Sequence, residues 1–259
     1  MKSQKAKRIS EEICSKDILL HLISEQEWLV KKVDWMIEVL SSFNCTTNTF
    51  FISVDIMDAY FAKSKRVLET KDIHLIGVTS MLLASKMEEI IPFKVSTVVE
   101  KMTHGKMKPQ EVVRSEQSIL EALNFRLLDQ PSLFVFIESL LVKLNFHTHK
   151  HVDDVFKVVT YISKMLMHDF SIISKYPLKY LGASCLYICF KIIEQVNEKF
   201  KTKLYVEKLK LMLNLDEQIF YSSSELLLNL AKNFEKNFSF AKNLLKFDSF
   251  SLDKEEQTG

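Results

Sequence analysis

The stretch Ile73–Phe93, IHLIGVTSMLLASKMEEIIPF, is apolar or small for most of its length, yet Lys86, Glu88 and Glu89 crowd its end. It has a counterpart downstream in Tyr180–Glu194, YLGASCLYICFKIIE. Aligned on Gly77 and Gly182, the two match again at Lys86 and Lys191 and at Glu89 and Glu194, a constant offset of 105 residues. Small residues recur at Gly77, Ser80 and Ala84 in the first copy and at Gly182, Cys185 and Cys189 in the second. That spacing puts them on one face of a helix, where they let neighbouring backbones come close. Each copy therefore reads as a central helix ringed by others. Cys185 and Cys189 read as small core residues and not as metal ligands.

The offset sets the boundaries. A second repeat that starts at Pro131 implies a first that starts near Gln26. Ser24–Glu27, SEQE, has the pattern of a capping box, and Pro131 suits the first turn of a helix. Five helices are expected in each repeat. In the first they run over about Glu27–Ser42, Asn48–Ala62, Lys71–Ile91, Val95–Met102 and Pro109–Asn124. In the second they run over about Ser132–Phe146, Val152–His168, Pro177–Asn197, Val206–Leu213 and Glu217–Asn237. The chain thus divides into an N-terminal segment (1–25) with a short helix near Ser10–Ile23, two repeats (26–130 and 131–238), and a tail (239–259) expected to be partly disordered.

Composition agrees with an all-α protein. Only 4 Gly and 4 Pro occur in 259 residues, and tight hairpin turns need more of both. A hydrophobic share of 47% with 26% charged residues is ordinary for a globular chain. A net charge of +2 gives no footprint for direct nucleic-acid binding. The four cysteines form no Cys-x-x-Cys pair. No apolar run is long enough to span a bilayer, and the start, MKSQKAKRIS, lacks the apolar core of a signal peptide. An intracellular place, nucleus or cytoplasm, is expected. Lys2, Lys5, Lys7 and Arg8 could serve nuclear import, although a solvated basic tail is the simpler reading.

No motif carries catalysis. There is no glycine-rich phosphate loop, no G-x-S-x-G elbow and no His-Glu-x-x-His. His147, His149 and His151 could bind a metal, but they fall at the junction of two expected helices, where polar residues collect. An all-helical chain without a chemical motif is expected to bind another protein, with no cofactor and no metal.

Several runs carry a family resemblance. VDWMIEV (Val33–Val39) in the first helix resembles the cyclin-box signature with its Trp, here Trp35. LLASKMEEIIP (Leu82–Pro92) matches the strongest signature of the cyclins. SEQSILEALNFRL (Ser115–Leu127) resembles their fifth helix, QPS (Gln130–Ser132) the start of their second fold, and YPLKYLGASCLY (Tyr176–Tyr187) fits the second repeat. The resemblance extends from about Gln26 to Phe238, and is to mitotic and D-type cyclins alike.

The resemblance implies a regulatory subunit that binds and activates a cyclin-dependent serine/threonine kinase, acts in cell-cycle control and is itself no enzyme. Lys86 and Glu116 are implied to grip main-chain groups near the kinase αC helix, with Met87, Phe125 and Leu127 as the apolar surround. Lysine offers only donors and a carboxylate only acceptors, so the pair serves both kinds of backbone group. Without the resemblance, Lys86 reads as a surface lysine reaching off a core helix.

Two departures stand out. The usual Arg of the first helix is Leu29, while its partner Asp remains at Asp58; this leaves Asp58 with another partner or more exposed. The groove that docks substrates and inhibitors in cyclins corresponds to Trp28, Lys31, Lys32, Trp35 and Glu38. Two lysines at apolar positions argue against Arg-x-Leu docking. No Arg-x-x-Leu or Lys-Glu-Asn degradation signal stands in the N-terminal region. The alternative function is a cyclin-fold transcription-associated or scaffold protein that activates no kinase.

Overall fold

The computed structural model describes residues 29–64 and 70–248, and every regular element among them is a helix. The first repeat holds α1 (29–42), α2 (Thr47–Lys63), α3 (Thr70–Glu88), α4 (Val95–Thr97, continued by a π-turn over Val98–Met102) and α5 (Pro109–Ala122). The second holds α6 (Leu133–Lys143), α7 (Val152–Leu166), α8 (Phe170–Lys175), α9 (Leu178–Val196), α10 (Thr202–Leu213) and α11 (Glu217–Asn237). A last helix, α12 (Asn243–Asp248), follows. The expected helix at Ser10–Ile23, the capping box at Ser24–Glu27, the start of α1 and residues 249–259 lie outside the described residues.

Local chemistry sets the helix ends. Ser132 and Asp216 accept N–H groups of the first turns of α6 and α11. Pro109 opens α5, where the Lys108 N–H donates to Glu111 at 2.7 Å. Asn44, Asn124, Asn145 and Asn214 take left-handed backbone conformations behind α1, α5, α6 and α10. Asparagine tolerates that region better than other side chains, so the chain stops helices with few glycines.

α3 ends at Glu88 and not at Ile91, because the approach to Pro92 disfavours helical backbone. α6 ends at Lys143, before Phe146, where Asn145 turns left-handed. α10 begins at Thr202, four residues ahead of expectation. Its first N–H is held by Glu194 at 3.1 Å, and the Thr202 hydroxyl donates to the Phe190 carbonyl at 2.9 Å. α8 was not expected; Asp169 accepts the N–H groups of Ser171 and Ile172 to start it.

The core forms around α3 and α9. Residues 76–85 of α3 are buried without a break, as befits a helix that is apolar all round. α2, α4 and α5 pack on α3, and α6, α7, α10 and α11 pack on α9. The two glycines do equivalent work. A Cβ on Gly77 would come within 2.9 Å of Lys32 Cδ on α1, and one on Gly182 within 2.7 Å of Phe136 Cδ1 on α6. The first helix of each repeat thus crosses the central helix at its glycine. Cys185 and Cys189 are fully buried; burial pushes the Cys185 thiol up to about 12 and raises Cys189 well above the ordinary thiol value.

The repeats meet where α2 packs on α6. Phe51 and Phe134 stack there with ring centroids 5.6 Å apart. Beside them, Ser132 donates to Asn48 Oδ1 (2.6 Å) and Asn48 Nδ2 donates to Glu88 Oε2 (2.9 Å). The described part of the tail also folds back. α12 packs on α7, and Asp34 of α1 accepts the N–H groups of Asn243 and Leu244 at 3.2 Å. Among the described residues, no helix is long and apolar enough to cross a membrane.

Candidate functional site

α3 and α5 run side by side and carry the expected pair. Lys86 Nζ lies 2.5 Å from Glu116 Oε1; the lysine side chain is 42% exposed and the glutamate 16%. The two acids that follow Lys86 do different work. Glu89 turns back to the start of α2, where it accepts from the Thr46 N–H (2.8 Å) and the Thr49 hydroxyl (2.5 Å). Glu88 accepts from Asn48 in the chain of bonds that reaches Ser132. Both fix the end of α3, and so the place of Lys86.

An apolar rim surrounds the pair. Met87 is exposed beside Lys86, and Ile90 is 100% exposed, with Ile91 beside it. Phe125 follows the last turn of α5 with φ 58° and is 73% exposed. A bulky residue in the left-handed region is strained, and such strain gathers at functional positions. Leu127 is half-buried and packs on the core. Ile90, Ile91 and the exposed Val113 of α5 were not singled out from sequence. An apolar pair lying past the end of the helical pattern, just before Pro92, was the available signal.

The second repeat lacks this arrangement. Lys191 pairs with Glu194 of its own helix at 2.8 Å. It borders a cleft between α7, α9 and α11 lined by Tyr161, Tyr187, Tyr221 and Leu228.

Of the expected groove residues, Trp28 lies outside the described part. Lys31 Nζ sits over the Phe240 ring, 5.3 Å from its centroid. Lys32 contacts His74 Nδ1 and lies 4.2 Å from the centre of the Trp35 ring. Glu38 faces the Asn243 side chain. Burial lowers Lys32 to about 8. It also lowers His74 to about 4, helped by the charges of Lys32 and Lys106.

Asp58 gains no cation in place of the missing Arg among the described residues. It is partly buried one turn from Asp55 on α2. Burial raises the Asp55 carboxyl to about 7, and burial together with Asp55 raises Asp58 well above the carboxylate range. Burial and the neighbouring carboxyl thus disfavour charge at Asp58.

Of the histidines at the α6–α7 junction, the side chain of His147 lies outside the described part, and His149 and His151 have structural contacts. His149 stacks on Phe146 at 4.5 Å, and His151 bonds Asn197 at 2.7 Å and approaches Asp154 at 3.5 Å. Among the described residues no three side chains are grouped to hold a metal ion.

Residues 5–128 match the family "Cyclin, N-terminal domain". The chain is 27% identical over 165 residues to the G2/mitotic-specific cyclin-B of Hydra viridissima, which covers 64% of this chain and 40% of that protein. It is 34% identical over 105 residues to the G2/mitotic-specific cyclin C13-1 of Daucus carota, or 40% of this chain and 30% of the relative. The matches thus span less than half the length of these relatives. Among solved structures, a viral cyclin from herpesvirus saimiri superposes with a TM-score of 0.62 at 20% identity, covering 79% of this chain and 86% of the other. A chain of the CAK complex from Chaetomium thermophilum bound to ATP-γ-S gives a TM-score of 0.51 at 11% identity, covering 87% of this chain and 74% of that one. At those identities the likeness is one of fold.

Proposed function

We propose that this chain, which matches the cyclin N-terminal domain over residues 5–128 and is similar to mitotic cyclins, binds a cyclin-dependent protein kinase through the α3–α5 face and activates it. The observation that carries this reading is the Lys86–Glu116 pair, set among exposed Met87, Ile90, Ile91 and Phe125. In a dry interface, charged hydrogen bonds are about twice as strong as neutral ones. The lysine supplies donors and the glutamate acceptors for main-chain groups of the kinase. Exposed apolar side chains close around such a pair exclude water from it.

Activation follows from shape. A protein kinase transfers phosphate well when its αC Glu pairs with the β3 Lys. A partner that binds only that state shifts the population toward it. A scaffold whose α3 is anchored at both faces imposes a shape without yielding its own. The test is recovery of a protein kinase from native extract with the full chain as bait, followed by phosphorylation of a histone substrate with and without added chain. A copurifying kinase whose activity rises with added chain is expected. Failure to recover any kinase, or recovery with unchanged activity, would overturn the reading.

A further inference from the structure

The second repeat departs from the first between its central helix and the last helix that packs on it. Equally far from the caps Lys108 and Asp216 stand Val112 and Phe220, and again Ile119 and Leu227, all four buried. That register makes Ser224 the counterpart of Glu116, the residue that reaches Lys86 in the first repeat. The Ser224 hydroxyl turns inward, 3.0 Å from Ser184 Oγ and 2.8 Å from the Phe220 carbonyl. It is too short to cross to Lys191, and a cleft of about 740 Å³ opens beside that lysine.

Along the α11 side of the cleft, Tyr221, Glu225, Leu228 and Lys232 follow at intervals of three or four residues, and Lys236 continues the stripe. That spacing sets them on one face of the helix, and all five are exposed. Among the described residues neither Glu225 nor Lys232 has an ion-pair partner. The stripe is symmetric about its middle. Glu225 and Lys232 lie equally far from the midpoint between Leu228 and Asn229, and so do Tyr221 and Lys236. Turned end for end, α11 presents a cation where it had an anion, and a cation where it had an aromatic ring. A segment of a single charge meets like charge at one end of this stripe. A second α11 laid antiparallel meets opposite charge at both ends, because an isologous contact uses every pair twice.

We propose that two copies of this chain associate through α11, packed antiparallel across a two-fold axis that passes beside the Leu228–Asn229 midpoint. Glu225 of each copy then faces Lys232 of the other, and Lys236 lies over the Tyr221 ring. The two Leu228 side chains meet at the axis. Tyr187 and Ile192, half-buried on the α9 side of the cleft, are covered with them. No residue of the α3–α5 face takes part, so this association goes beyond the kinase reading and does not rest on it.

Sedimentation equilibrium of the full chain tests this. A mass that rises with concentration to twice the 30.2 kDa of one chain is expected, with the association weakening as salt is raised. Glu225→Lys and Lys232→Glu each change an exposed residue, so both should fold with nearly unchanged melting temperatures. Each sets like charges opposite one another at two places and should weaken the association by about tenfold or more. Mixing the two variants in equal amounts should restore it to within about threefold, since opposite charges then meet at both places. The double variant, with both charges reversed in one chain, should associate as well as the mixture. A single mass up to about 100 μM would overturn the proposal and leave the cleft to a segment of this chain or to a different protein. Folded single variants that associate as before, or a mixture that associates no better than its parts, would overturn it too.

Discussion

Lys86 reaches across from α3 to Glu116 on α5, whereas Lys191, its counterpart 105 residues on, bonds Glu194 one turn away on its own helix. The same residue type at the same place in two repeats therefore has two settings. The first pair joins two helices, whereas the second stays within one.

That contrast supplies an internal control. An exposed ion pair contributes about 0–1 kcal/mol, so Lys86→Ala and Lys191→Ala should both fold with nearly unchanged melting temperatures. If the α3–α5 face grips a kinase, Lys86→Ala should weaken kinase binding by roughly 2–5 kcal/mol and Lys191→Ala should not. Glu116→Ala should follow Lys86→Ala. Calorimetric titration with the copurified kinase decides it, and equal affinities for the two lysine variants would remove Lys86 from the interface.

Asn48 is expected to matter for stability and not for binding chemistry. It is buried between Ser132 and Glu88 and links the start of the second repeat to the end of α3. Asn48→Ala leaves the buried Ser132 hydroxyl without its acceptor, while the exposed Glu88 turns to water, and a buried unsatisfied group costs about 1–3 kcal/mol. A lowered urea midpoint is the expected result. A midpoint equal to that of the unmodified chain would mean that water replaces the relay without penalty.

These two positions show what the sequence made legible. The central helices could be read because small residues recur at one spacing and the two copies share one offset. Lys86 and Glu116 could be paired because both stand in runs that resemble cyclin signatures. The roles of Glu88, Glu89 and Asn48 could not, since each acts through a partner 40 or more residues away. Lys32 was readable as a foreign charge in an apolar groove, but not as a stem laid over Gly77. α8 and α12 escaped because six-residue helices show too little periodicity, and because the carboxylate that holds α12 lies 209 residues upstream of Asn243.

Asp55 and Asp58 predict an unusual dependence on pH. Asp55 rises from an ordinary 3.8 to about 7 in the folded chain. Below the lower value both states are protonated and nothing is lost. As pH rises to about 7 the unfolded chain ionises while the folded chain resists, so stability falls across that window and then levels. At about 1.4 kcal/mol per pH unit the loss reaches roughly 4 kcal/mol at most. Asp55→Asn and Asp58→Asn should therefore stabilise the chain near neutral pH and converge with the unmodified protein near about pH 4. Urea unfolding of the three proteins at both ends of the window tests this. Parallel curves, with no gain at neutral pH, would show that both carboxyls ionise freely.

The last prediction concerns α12, whose first N–H groups are held by one carboxylate. Asp34 is buried and accepts the N–H groups of Asn243 and Leu244. Leu244 is fully buried beneath the helix. His168 lies 3.8 Å from the same carboxylate. Its Nδ1 must carry the proton donated to the Lys164 carbonyl, which leaves Nε2 buried and without a hydrogen bond. Removing Asp34 thus uncaps α12 and takes away the carboxylate that approaches His168 Nε2. Asp34→Ala should cost about 1–2 kcal/mol, as for loss of an N-cap side chain. Asp34→Asn keeps an acceptor for the two N–H groups and should cost less. Amide exchange separates this from general weakening. Leu244 should exchange faster in Asp34→Ala, while Leu82 at the centre of α3 keeps its protection, because local opening needs less free energy than global unfolding. Unchanged exchange at Leu244 in a folded Asp34→Ala protein would mean that apolar packing on α7, and not the cap, holds the helix in place.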